Sequence, residues 1–224
     1  MVKDGGMARF LFILFCLGLF AFWIFWCFEK EHTYQKMLER MQAESRAAQV
    51  LVTAVNYDEA THRNMTTIKF VEEDSAGLPM APKYFTFSGN LIQFQSLVVR
   101  FQDKFVAAGD LFKGKSVYLF WKVFVLDGPS TQEFPITEVN EIPSGYKIPG
   151  RTNGFENQFW KDFWTFAFDE GKANNAGIKS VQIEAPGSVF IPGYLYTIHI
   201  EHDGGLRIDA KALDPILRGE KIPV

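Results

Sequence analysis

Apolar positions change period along this chain, and each change marks a different element. From Phe10 to Phe28 there is no period: FLFILFCLGLFAFWIFWCF is nineteen residues without a charge. At about 1.5 Å per residue a helix of that length reaches about 28 Å, enough to cross the hydrocarbon core of a bilayer. Trp23 and Trp26 fall near its C-terminal end, where an interfacial aromatic belt places such rings. The exit, Phe25-Trp26-Cys27-Phe28-Glu29, offers no small residues for a leader peptidase, so an uncleaved signal-anchor is expected. Lys3, Arg9 and the amino terminus precede the segment against one Asp4. The positive-inside rule then predicts a short cytoplasmic tail, 1–9, and a periplasmic or extracellular C-terminal domain on the plasma (inner) membrane.

A helical pattern follows. Residues 29–48, EKEHTYQKMLERMQAESRAA, are strong helix formers and are expected to extend the membrane helix as a stalk. Tyr34, Met37, Met41 and Ala48 recur at roughly heptad spacing. That is too short for more than a weak homo-oligomer through Phe10–Phe28 and the stalk.

From residue 49 the period becomes two. VLVTAVNY (50–57) and MTTIKFVEE (65–73) flank the polar DEATHRN and read as a hairpin. KYFTFSG (83–89), LIQFQSLVVRF (91–101) and KSVYLFWKVFVLD (115–127) read as further strands. The last is apolar on both faces, with Val117, Leu119, Trp121, Val123 and Val125 on one and Tyr118, Phe120, Phe124 and Leu126 on the other. Such a strand must be central and covered twice. Residues 127–154 carry four prolines and four glycines and predict a surface arm, with a short edge strand near Phe134–Val139. IKSVQIEA (178–185), YLYTIHIEH (194–202) and LRIDAKA (206–212) complete the strands. A three-residue turn at Asp203-Gly204-Gly205 predicts Ile200 opposite Ile208, Glu201 opposite Arg207 and His199 opposite Asp209, with Gly205 left-handed at a bulge.

One segment interrupts the strands. GFENQFWKDFWTFAFDEG (154–171) fits a helix at 100° per residue, while Trp164, Phe166 and Phe168 also alternate as a strand would. Phe155, Phe159, Phe163 and Phe166 form one wall, Trp160, Trp164 and Phe168 the adjoining one, and Gln158, Lys161, Asp162, Thr165 and Asp169 the polar side. The Phe wall is expected in the core. Trp160 and Trp164, one turn apart, are expected to face the sheet; they are the candidate ligand-binding pair if instead they are more than about a third exposed in a concave site. The expected fold is therefore β-rich α+β. An antiparallel sheet or sandwich with one packed amphipathic helix occupies 49–224, preceded by the transmembrane helix and stalk.

Composition narrows the function. Hydrophobic residues make up 47% of the 224 and charged residues 22%, a globular balance; aromatics reach 16%. The net charge of −3 comes with no basic tract, which excludes a nucleic-acid surface. Both cysteines, Cys16 and Cys27, lie in the apolar run, so the domain is not a disulfide scaffold. GDLFKGKS (109–116) matches a phosphate-binding loop, but Ser116 leads into a strand pattern, where such a loop needs a helix N-terminus. His199, Glu201, His202 and Asp203 cluster, yet on a strand His202 points away from His199 and Glu201. A cross-strand charge ladder is expected there, and no metal or other cofactor. Asp162, Asp169, Glu170 and Glu184 are scattered carboxylates, and no nucleophile motif is present, so no catalytic residue is expected.

FIPGYLYTIHIE (190–201) resembles the Pro-Gly-then-strand signature common in extracellular immunoglobulin-like sandwiches; the resemblance spans a dozen residues and implies no function. The expected function is a non-catalytic interaction domain held on the lipid bilayer, with a protein partner in a cell-envelope assembly. The alternative is a glycan- or apolar-ligand-binding domain built on the aromatic surface.

Overall fold

The structure, a computed structural model, describes residues 4–41, 46–74, 77–101, 116–127, 130–148, 154–175, 178–184, 187–201 and 205–214. The apolar run and the Glu/Lys-rich segment after it form one helix, α1 (Asp4–Met41). Within it Arg9–Glu29 is long and apolar enough to cross a membrane, and its side chains from Phe10 to Phe28 are exposed. The chain divides into two compact units between Met37 and Leu38.

The first strand is β1 (Arg46–Asp58), so residues 46–48, expected to end the stalk, are strand instead. Ala47 and Ala48 have high helix propensity, but pairing overrides it: Ala48 lies between Glu72 and Ile198 on two adjacent strands, and Ala47 pairs with His199. The remaining strands are β2 (Arg63–Glu72), β3 (Lys83–Ser88), β4 (Leu91–Phe101), β5 (Ser116–Asp127), β6 (Ser130–Pro135), β7 (Ile178–Glu184), β8 (Ser188–Val189), β9 (Tyr194–Ile200) and β10 (Leu206–Ala212). They form two antiparallel sheets. One runs β10-β9-β1-β2-β3; the other runs β6-β5-β4-β7, with β8 on the start of β4.

A single buried apolar cluster draws on both sheets. Val50, Val52, Ile68 and Phe70 come from the first, and Phe94, Val98, Phe120 and Val123 from the second. Phe70 is its hinge: its ring lies 5.9 Å from Phe94, 5.5 Å from Phe120 and 6.5 Å from Phe85. The opposite face of β4 and β5 is buried too, through Leu97, Val99, Val117 and Leu119. Over this sheet lie α2 (Gly154–Phe168) and α3 (Glu170–Asn175), both in contact with β7.

Two bulges re-aim the strands. In β5, Gln95 pairs with Lys122 but Ser96 pairs with Phe120, leaving Trp121 as the extra residue. Strict alternation fails there. Tyr118 and Phe120 share the inter-sheet cluster with Val123 and Val125, whereas the pattern predicts opposite faces for these pairs. In β1 the register shifts between Val52 and Ala54, which turns Val55 to the side of Val50 and Val52.

The edge strand β6 ends at Pro135 instead of spanning 134–139. Proline brings no N–H to a ladder, and the chain leaves the sheet. The arm after it continues to cover β5. Ile136 N and Thr137 N donate to Trp121 O at 2.8 and 3.1 Å, and the Thr137 hydroxyl donates to Phe120 O. Tyr146 Oη accepts from Tyr118 N and donates to Tyr118 O. These bonds satisfy backbone that β6 is too short to reach.

The β9–β10 register also departs from expectation. Ile200 pairs with Leu206 and Ile198 with Ile208, two residues from the expected pairing. The turn itself, 202–204, lies outside the described residues. A slip of two preserves which face each side chain takes, so the apolar alternation could not distinguish the two registers. The expected charge partners still meet, diagonally: Arg207 Nε lies 2.9 Å from Glu201, and His199 Nε2 lies 3.8 Å from Asp209. Pro192-Gly193, with Gly193 at φ 84°, makes the tight turn into β9 that the Pro-Gly pair implies.

Between the helices Asp169 acts as a cap. Its Oδ1 accepts from Lys172 N at 3.0 Å, and Lys172 Nζ lies 3.1 Å from Oδ2. The Lys172 backbone bond, then its side chain, hold the carboxyl below the ordinary 3.8.

Two outcomes follow from this packing. Phe70→Ala empties the contact between the sheets and lowers unfolding stability by about 3–5 kcal/mol, read from denaturant unfolding of the full chain in detergent. A depressed folded pKa means that Asp169 stabilises the protein above the ordinary aspartate value and stops doing so as pH falls through its lowered one. Asp169→Asn keeps a capping side chain but cannot titrate. Its stability deficit is therefore present at neutral pH and shrinks on acidification below about pH 4, in parallel melts of the two proteins.

Candidate functional site

Trp160 and Trp164 lie on α2 as the helical spacing predicts, but both are only 1% exposed. The Trp160 ring contacts Tyr146 at 5.3 Å and Phe163 at 5.0 Å. Trp164 stacks on Phe168 at 5.9 Å, and its Nε1 donates to Glu141 O at 2.7 Å. Neither ring meets the exposure that a stacking site requires. In the Phe wall, Phe163 is buried and Phe159 and Phe166 are half-buried; the Phe155 side chain lies outside the described ones. The two tryptophans are therefore buried rings of this helix together with Phe163. The largest rings go inward because they bury the most area, and the arm supplies a carbonyl for one indole.

Glu156, in the first turn of α2, is buried and accepts from Ile148 N at 3.2 Å. A carboxylate suits a helix N-terminus, and here it also ties the arm to the helix. Trp160 Nε1 is buried with no hydrogen-bond partner among the described residues.

The other sequence candidates do not converge. His199 and Glu201 take their places in the β9–β10 ladder, while His202 and Asp203 lie outside the described residues. Among the described residues no three His, Cys, Asp or Glu side chains gather as metal ligands. Ser116 opens β5 directly, so the phosphate-loop pattern lacks its helix; residues 109–115 lie outside the described residues. Asp162, Asp169 and Glu170 sit on or beside α2 and α3, Asp169 as the cap described above.

A concave site lies elsewhere, at an open end between the sheets. The cleft measures about 390 Å³, within the range of small-ligand and peptide side-chain pockets. One wall is the tip of the β1–β2 hairpin, with Val55, Arg63, Asn64 and Thr66. A second is the link from β3 to β4, Ser88-Gly89-Asn90. Phe190 and Pro192 close the third. The bulge at Thr53 is what aims Val55 inward, and the hairpin then overhangs the cluster, so Val55 stays 45% exposed and Tyr57 60%.

The walls are pinned by backbone. Gly89, at φ 90°, donates its N–H to Asn64 O at 2.7 Å. Ser88 N donates to Gln132 Oε1, and Phe190 N donates to Asn90 O at 2.9 Å. Tyr196 Oη accepts from Ile191 N and donates to Val189 O, holding the third wall. Arg63 Nη1 donates to Ser88 Oγ at 3.4 Å. Sequence reading treated DEATHRN only as a polar turn. Arg63 there and Ser88, at the start of the link, are 25 residues apart, and the pairing of β2 with β3 brings them together.

No protein-family model, curated protein or solved structure matches this chain.

The two indoles respond differently to truncation. Trp160→Phe removes a buried donor that has no partner, which offsets the lost ring area, and stability changes by less than about 1 kcal/mol. Trp164→Phe also deletes the bond to Glu141 and costs about 1–3 kcal/mol, measured by thermal melts with near-ultraviolet circular dichroism as the packing control.

Proposed function

We propose that this chain is a single-pass membrane protein. Arg9–Glu29 is its transmembrane signal-anchor, the following residues its stalk, and the two sheets form a β-sandwich held outside the cytoplasm. The sandwich acts as a non-catalytic docking module, and its partner is another protein of the cell envelope. The observation that carries the anchor is the apolar helix whose side chains are exposed. Outside a bilayer a row of that kind would aggregate. Lys3 and Arg9 before it support a cytoplasmic N-terminus. The docking face is the open end of the sandwich, where Val55 and Tyr57 project uncovered beside a formed cleft. A ligand-binding role through Trp160 and Trp164 is the weaker reading, because both rings are engaged in packing.

The full chain is expected to stay in the membrane pellet after alkaline carbonate washing, and its C-terminal domain to be cut by protease added outside intact spheroplasts. Release by carbonate removes the anchor, and protection from the protease reverses the orientation. Tyr57→Asp is expected to abolish stoichiometric co-purification of the partner from detergent, while Lys211→Glu on the outer sheet face leaves it unchanged.

A further inference from the structure

Strand β10 ends its sheet, and among the described residues it pairs with β9 and with no other strand. The opposite edge of that sheet is closed. Phe85 and Phe87 of β3 meet Phe134 of β6, and Lys83 Nζ donates to Ile136 O. At β10 the residues from Asp209 to Ala212 are exposed. Its pairing with β9 fixes which backbone groups are left over. Glu201 N donates to Gly205 O at 2.8 Å and Leu213 N to Gly193 O at 2.9 Å, at the two ends of one unbroken register. Bonded and non-bonded pairs alternate along an antiparallel ladder, so Arg207, Asp209 and Lys211 are the β10 residues bonded to β9. The N–H and C=O groups of Leu206, Ile208, Ala210 and Ala212 therefore point to the open edge. Their side chains take the inner face, where Leu206 and Ile208 pack on the core cluster. Arg207, Asp209 and Lys211 take the outer face, with charges that alternate in sign.

We infer that this edge pairs with a second copy of the chain. Two β10 strands run antiparallel about a two-fold axis at Ile208, and two five-stranded sheets become one. Matching across the axis is what selects a second copy. Pairing about Ile208 sets Arg207 opposite Asp209 of the second copy, twice, on the outer face. On the inner face it sets Ile208 opposite Ile208 and Leu206 opposite Ala210, apolar against apolar. Pairing about Arg207, Asp209 or Lys211 brings like charges together. Pairing about Ala210 matches Asp209 with Lys211 but sets Leu206 against Asp214. Within one chain Arg207 Nε holds Glu201 and its Nη1 lies 3.4 Å from Asp209, which leaves guanidinium donors for a further carboxylate. Charges on an edge strand ordinarily repel an added strand, but here the alternation makes the edge complementary to itself. So short an edge buries little area, and the pair forms where local concentration is high, as when both chains are anchored in one bilayer. Only this last dependence rests on the proposed anchor, which carbonate washing reads separately.

The test is disulfide trapping of the full chain in proteoliposomes, with Cys16 and Cys27 replaced by alanine. One preparation carries Arg207→Cys, a second Asp209→Cys, and a third mixes the two. Directly opposed Cα atoms at these positions stand about 4.5 Å apart, within disulfide reach. The mixture is expected to give about 10-fold more cross-linked dimer than either variant alone. Tyr84→Cys, exposed on the far edge strand, sets the collisional background. Ala210→Pro deletes an N–H that faces the open edge and makes no bond to β9, so the monomer keeps its melting curve. Added to both cysteine variants, it is expected to bring the mixture down to background. A mixture that never exceeds background overturns the pairing. Cross-linking of Asp209→Cys to itself as strongly as to Arg207→Cys overturns the register and the charge matching behind it. Cross-linking that survives Ala210→Pro overturns the edge backbone as the contact.

Discussion

A strand that is apolar on both faces must be covered twice, and the architecture follows from how β5 meets that demand. One side is closed by the first sheet through Phe70, Phe120 and Val123. The other carries Val117 and Leu119, buried on the side opposite the cluster. The aromatic helix α2 is part of that second covering layer, with Phe168 of the helix 5.1 Å from Trp121 of β5. Burial of about 25 cal/mol for each Å² of apolar surface makes a doubly covered strand the natural centre of the domain. The bulge at Trp121 then decides which of its residues face which layer.

Covering the faces leaves the edge. β6 protects only the C-terminal half of β5, from Lys122 onward. The proline-rich arm takes over with Thr137 and Tyr146, and Glu156 and Trp164 hold that arm to α2. One continuous argument thus links the long irregular segment, the buried carboxylate and the buried indole. Each exists because backbone polar groups beside a buried strand need partners. The aromatic richness of α2 is accounted for by this packing and needs no ligand.

The same economy is absent at the end between the β1–β2 tip and the β3–β4 link. There a bulge points Val55 to the side of Val50 and Val52, yet its side chain stays 45% exposed. The surrounding backbone is nonetheless fully engaged, by Asn64 O, Asn90 O and the Tyr196 hydroxyl. A rigid frame around an uncovered, mixed polar and apolar cleft is the arrangement of a recognition site more than of a packing defect.

Period alone determined much of this protein. The apolar run is legible from its unbroken length, and the strand positions, the aromatic helix and the double-faced character of β5 because burial imposes periods of 3.6 and 2 on the residues themselves. Faces after a bulge are not legible, since one extra residue at Trp121 inverts the alternation without any mark in composition. Neither is a register slip of two, as at Ile200 and Leu206, because it leaves every side chain on the same face. Whether Trp160 and Trp164 look outward or inward depends on the arm, which is distant in sequence. The cleft is least legible of all. Arg63 lies in one hairpin and Asn90 in a crossover between sheets, and only tertiary packing places both on one cavity.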